Sequence, residues 1–125
     1  MNLLIDTHIL LWVLLSPDRL PAPARDAIAN PANTIRVSAA TAWEIAIKHA
    51  LGRLHFPIDR LEALIAELGY TPLPITQAHA IAAGALPRLH ADPFDRMLIA
   101  QARHEALTLV STDAAFARYD LPLLT

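Results

Sequence analysis

The stretch Asp92-Pro93-Phe94-Asp95-Arg96-Met97-Leu98-Ile99-Ala100-Gln101-Ala102 reads as the opening of a helix that runs to about Glu105. Asp92 fits the cap, where its carboxylate takes up free backbone donors, and Pro93 fits the first helical position. Leu98, Gln101 and Ala102 fall at helical spacing on one side. Asp95 stands at the third helical position, where a capping box would carry a reaching acid. Two readings follow. Either the turn is only a well-made helix start, or it holds the Asp95 carboxylate rigidly at the mouth of a site. The apolar run Leu107 to Val110 comes next and reads as a strand, so here a helix feeds a strand.

The same alternation extends outward in both directions. Asn2 to Ile5 is a short apolar run ending at an acid, the pattern of a buried parallel strand. Ile9 to Leu15 is a helix apolar on every side, which predicts burial or cover by another chain. Pro21 to Asn30 reads as a helix and Thr34 to Val37 as a β-branched strand. Ser38 caps a helix to about Leu51, closed by Gly52. Its expected buried stripe is Trp43, Ile47 and Ala50/Leu51, with Glu44 beside it. Ile58 to Leu68 is helical and stops at Gly69. Leu73-Pro74-Ile75 is a weak strand that proline confines to an edge or an end. Thr76 caps a short helix to Gly84, Ser111-Thr112-Asp113 starts another, and Leu121 to Leu124 reads as a final edge strand. Strand and helix alternate throughout, which predicts one α/β domain over residues 1–125 with a parallel sheet and helices on both faces.

Composition narrows the function classes. The formal net charge is −2, so no global field draws the chain to nucleic acid, and polyanion binding needs a local basic patch. Hydrophobic residues make up 54 %, above the usual ~45–50 %, which points to an apolar surface covered by a partner or a second copy. The absence of cysteine removes disulfides, thiol catalysis and thiolate metal sites, and fits a reducing cytoplasm. The opening Met1 to Leu15 lacks a basic start, and Asp6 and His8 break its apolar run. It is also far short of the ~20 apolar residues of a membrane span. The expectation is a soluble, untargeted, cytoplasmic protein.

In open parallel sheets, ligands bind outside the carboxyl ends of the strands, and that rule gives several isolated acids one address. Asp6 follows the first strand directly. Asp113 lies just after Leu107 to Val110, Asp95 opens the helix leading into that strand, and Glu44 sits about two turns into the helix after Thr34 to Val37. Each has a plain structural alternative. Asp6 and Asp113 can cap helices, and Glu44 can pair with Lys48 four residues on, an interaction of only ~0.3–0.5 kcal/mol. Jointly they make a cluster that repels itself unless a cation neutralises it. Oxygen-only ligands suit Mg²⁺, with Mn²⁺ as the alternative. A hydrated Mg²⁺ on carboxylates activates water and stabilises a phosphodiester transition state, so the expected chemistry is phosphodiester hydrolysis. The six histidines, at 8, 49, 55, 79, 90 and 104, show no metal-ligand spacing and are expected to be structural or superficial, with His8 and His90 close to the cleft in sequence. No glycine-rich phosphate loop and no Ser-His-Asp arrangement stands out.

Leu4-Ile5-Asp6-Thr7-His8, the run Ser38-Ala39-Ala40-Thr41-Ala42-Trp43-Glu44-Ile45-Ala46-Ile47-Lys48, Asp92-Pro93-Phe94-Asp95-Arg96 and Ser111-Thr112-Asp113 together resemble a PIN-domain protein. More narrowly, the chain resembles a VapC-type ribonuclease toxin of a bacterial toxin–antitoxin pair, over its whole length and in order. The resemblance implies a three-layer α/β/α sandwich with a short parallel sheet. It implies a metal-dependent endoribonuclease, usually a homodimer, held inactive by a cognate antitoxin. Asp6, Glu44 and Asp95 match the family's three principal acids and Asp113 the more variable fourth. Asp6 and Asp95 would then be the main metal ligands, with Glu44 and Asp113 completing the site directly or through water. Asp92 is outside the general family pattern. Lys48, Arg53 and Arg96 are the local cations expected to grip RNA.

Three rivals remain. A catalytically inactive PIN-like binding module would use the acids as caps and the apolar excess as a partner surface. A phosphatase with an aspartyl nucleophile wants a second acid two residues after the first, where this chain has His8. A phosphoacceptor receiver domain pairs acids near its first strand, and this chain has none there.

Overall fold

The first strand divides the core in two. Successive side chains of a strand point to opposite faces, and in β1 (Asn2–Ile5) Leu3 and Ile5 join one buried cluster while Leu4 joins the other. The computed structural model describes residues 1–125. Strands β2 (Thr34–Ser38), β3 (Thr71–Leu73), β4 (Thr108–Val110) and β5 (Leu123–Leu124) complete a five-stranded sheet of order β3-β2-β1-β4-β5. Every pairing is parallel, with Leu4 opposite Arg36 on one side and Leu109 on the other. Parallel strands need crossovers, and helices supply them.

Helices α1 (Thr7–Leu15), α2 (Ala22–Ala29), α3 (Ala39–Ala50) and α4 (Leu61–Glu67) cover one face through Ile9, Leu10, Ala24, Ile45, Leu61 and Ile65. On the other face α6 (Pro93–His104) packs Leu98, Ile99 and Ala102 against Leu4 and Leu109, and α5 (Gln77–Ala85) lies along α6. The result is the expected three-layer α/β/α sandwich. The chain winds from β1 outward to β2 and β3, then returns to add β4 and β5 on the opposite side. The winding therefore reverses at β1, and the crevice beyond its carboxyl end is the place where such sheets bind ligands.

Local chemistry fixes the helix starts. Asp92 caps α6 by accepting from the N–H groups of Phe94 at 2.8 Å and Asp95 at 3.3 Å. Ser38 accepts from Ala40 N–H at 3.0 Å to start α3. Thr76 forms a capping box at α5 in which His79, fully buried, takes the reaching role: its Nδ1 accepts from Thr76 N–H at 3.1 Å. Gly52 and Gly69 follow α3 and α4 at φ of +72° and +78°, left-handed values that glycine adopts without penalty.

Two sequence expectations shift. The weak strand falls at Thr71–Leu73 rather than at Leu73 to Ile75, and Pro72 is tolerated because β3 is an edge strand paired only to β2. The buried stripe of α3 is Ala40, Thr41, Glu44 and Ile45, whereas Trp43 and Leu51 are each 62 % exposed. Polar Thr41 and Glu44 take the inward positions because they face polar partners at the sheet's end rather than the apolar core. No helix is long and apolar enough to cross a membrane.

Candidate acidic site at the carboxyl edge of the sheet

Asp6 leaves β1 and becomes the cap of α1. Its backbone N–H donates to Val110 O at 3.1 Å, which ties the ends of β1 and β4 together, and its Oδ1 accepts from Ile9 N–H at 2.8 Å. The residue is only 4 % exposed. Burial pushes its carboxyl above the ordinary aspartate value, while a hydrogen bond from the Ser111 side chain, the Ile9 N–H and the charge of His8 pull the other way. The charge of Glu44 raises it again.

Glu44 is 8 % exposed on the inner side of α3. Thr7 Oγ1 donates to its Oε1 at 2.7 Å and stands 3.3 Å from Thr41 Oγ1, and Lys48 Nζ meets its Oε2 at 2.8 Å. The pairing foreseen from the spacing of Glu44 and Lys48 therefore forms. Asp95 does not reach back to the Asp92 N–H as a capping box would. Its Oδ2 instead meets His90 Nε2 at 2.7 Å. Burial raises Asp95 to about 6, the His90 hydrogen bond opposes this, and the charges of Asp92 and Asp6 add to the rise. Asp113 sits at the surface beyond β4, where its Oδ1 caps the 3-10 turn Ala114–Arg118 through Ala115 N–H at 2.9 Å.

Three of these side chains are close-set. His90, Asp95 and Asp113 each present a ligand atom within 4.8 Å of the others. Asp95 also feels Asp6, and Asp6 feels Glu44. Asp6 and Asp113 thus follow the carboxyl ends of β1 and β4, Asp95 stands beside Asp113, and Asp6 and Glu44 lie near enough for their charges to be felt along this edge. Carboxylate oxygens predominate in this donor set, and its two most deeply affected members are acids that burial disfavours in their charged form. A hard divalent cation would relieve that penalty, so the residues fit Mg²⁺ or Mn²⁺.

The three expected RNA-gripping cations fare differently. Arg53 is exposed just past the end of α3, and Lys48 is half-buried against Glu44. Arg96 is engaged within the protein. Its Nη2 donates to the carbonyls of Ala83 at 2.9 Å and Leu86 at 3.0 Å, and its Nη1 to Pro87 at 3.0 Å and His90 at 3.4 Å. A guanidinium has the donors to satisfy a helix end in this way. It closes α5 and holds the loop that carries His90.

Sequence reasoning singled out the acids but missed Thr7, Thr41 and Ser111, and gave His90 no definite partner. Their signal was weak. Ser111 directly follows β4, Thr7 comes right after Asp6, and Thr41 lies one turn before Glu44, so each was placed to support an acid.

Fold and site together define a class: α/β/α proteins with an acidic cluster at the switch point of a parallel sheet. The PIN domain family model matches residues 3–121, and the chain belongs to that family. Among solved structures, VapBC2 from Rickettsia felis bound to a DNA fragment from its promoter is similar at 18 % identity and a TM-score of 0.71, covering 98 % of this chain and 97 % of the other. A toxin-antitoxin complex from Klebsiella pneumoniae is similar at 20 % identity and 0.66, covering 98 % and 95 %. VapBC-1 from nontypeable Haemophilus influenzae is similar at 19 % and 0.66, covering 98 % and 96 %. No curated protein matches the chain.

Proposed function

We propose that the protein is a metal-dependent endoribonuclease that hydrolyses RNA phosphodiester bonds and serves as the toxin of a toxin–antitoxin pair. The observation that supports this reading is the close approach of Asp95 and Asp113 at the carboxyl edge where the sheet reverses, with Asp6 at the end of β1 and the carboxyls of Asp6 and Asp95 both raised. When bound, Mg²⁺ or Mn²⁺ supplies neutralisation of the scissile phosphate and a more acidic water. Asp6 and Asp95 are the proposed principal ligands, held in place by the Ile9 N–H and by His90. Glu44, oriented by Thr7 and Lys48, and Asp113 complete the site. Such supporting hydrogen bonds fix ligand orientation, and their loss typically lowers metal affinity or activity roughly 10–100-fold.

RNA as substrate and an antitoxin as partner are supported by family membership and by the toxin–antitoxin complexes among the structural neighbours. A homodimer acting in the cytoplasm fits the high apolar content and the lack of cysteine. Lys48, Arg53 and Arg96 are the proposed cationic contacts to the RNA backbone, Arg96 with the donors its carbonyl bonds leave over.

The test incubates purified protein with total RNA in Mg²⁺, in Mn²⁺ and in excess EDTA, beside Asp6→Asn. Discrete fragments that vanish with EDTA and with the variant are expected. A folded protein that binds Mn²⁺ and cleaves nothing would instead be an inactive PIN-like binding module.

A further inference from the structure

The two helices that carry Glu44 and Asp95 touch at their immediate neighbours. Trp43, the residue before Glu44, packs on Phe94, the residue before Asp95, with ring centroids 5.3 Å apart and planes at 72°. The Phe94 ring is fixed in the first turn of α6, where its own backbone N–H donates to the Asp92 cap at 2.8 Å. Trp43 is held at one edge and is still 62 % exposed. An exposed tryptophan by itself says little. An exposed tryptophan seated on a fixed second aromatic, one residue from each of two acids, is different. It is an anchored π-surface packed on the residue that precedes Asp95.

We propose that Trp43, supported by Phe94, is a stacking platform for an unpaired RNA base next to the scissile phosphate. The proposal rests on the nuclease reading and adds to it the residue that holds the substrate base. Every base has a π-face, so an aromatic platform takes any sequence, but only when the base is free of its own duplex stack. Edge-to-face seating suits this use, because it anchors the indole without covering both of its faces. With a formal net charge of −2 the chain has no overall attraction for RNA, so stacking contributes affinity that net charge does not supply.

Two measurements test it. The first compares cleavage of a random-sequence single-stranded RNA pool, and of the same pool annealed to its complement, by the native protein, Trp43→Ala and Trp43→Phe. Expected is cleavage of the single strands alone, with KM in Trp43→Ala raised roughly tenfold to a hundredfold, the size of one lost base stack. Trp43→Phe retains most activity, and Mn²⁺ affinity stays unchanged in both variants. The second uses the two tryptophans of the sequence. In an Asp6→Asn, Trp12→Phe background, Trp43 is the sole indole, and a single-stranded RNA 12-mer in Mg²⁺ quenches its emission. Cleavage with an unaltered KM in Trp43→Ala, or RNA binding without quenching, overturns the platform and gives the exposed ring to a protein partner. Quenching without cleavage by the native protein keeps the platform and removes the nuclease reading.

Discussion

Asp95→Asn separates the cost of the site from its use. Burial moves the Asp95 carboxyl from 3.8 to about 6. A rise of about two units corresponds to ~3 kcal/mol of preference for the neutral form in the folded state. The sign follows from the direction. A raised acid leaves the fold unpenalised below the unfolded pKa, and the penalty grows as pH climbs from 3.8 through about 6. At pH 7 it is complete, and at pH 4.5 only about a third of it is present. The side chain is 18 % exposed, so solvent trims the figure, and ~2 kcal/mol is the expected gain when asparagine replaces the charge. In excess EDTA at pH 7 the variant should therefore melt roughly 6–10 °C above the native protein, and the gap should narrow toward pH 4.5. Divalent metal reverses the order. At a hundredfold excess over its dissociation constant a ligand stabilises the native fold by ~2.7 kcal/mol, and the variant lacks the carboxylate needed for that gain. Thermal melts at pH 4.5 and 7, with EDTA and with Mg²⁺, make the check. A variant less stable than native in EDTA, by a margin that ignores pH, would mean that Asp95 is structural and that the charge penalty derived from its burial is wrong.

Arg96→Lys should lower stability by roughly 1–3 kcal/mol in urea titration, because a lysine cannot reach the several carbonyls that the guanidinium bridges. Unaltered stability with a raised KM for RNA would make Arg96 a substrate contact alone. Thr7→Val keeps the side-chain shape and removes the 2.7 Å donor to Glu44. It should cost ~1–3 kcal/mol in the metal-free protein and weaken Mn²⁺ binding in calorimetry roughly 10–100-fold, whereas an unchanged affinity would exclude Glu44 from the metal's surroundings.

Which residues form elements was written locally. Asp92-Pro93 announces α6 by capping chemistry alone, Ser38 and Gly52 bracket α3, and the alternation of strand and helix leaves little besides a parallel sheet. Asp6 stood out because a carboxylate directly after a buried strand is placed by the chain itself. Other features depended on what meets what in space. Sequence periodicity put Trp43 inside, yet α3 turns Thr41 and Glu44 inward beside Ile45, because Thr7 at the end of β1 offers these polar side chains a partner while Ile45 meets the apolar core. Arg96 looked like a free cation until the end of α5 arrived beside it with its unpaired carbonyls. His90 had no assignable partner until the loop after α5 carried it to Asp95. The nearness of Asp6 to Asp95 is likewise a consequence of strand order. Placing β1 between β2 and β4 joins segments more than a hundred residues apart in sequence, and only long-range pairing, which no local propensity encodes, brings them together.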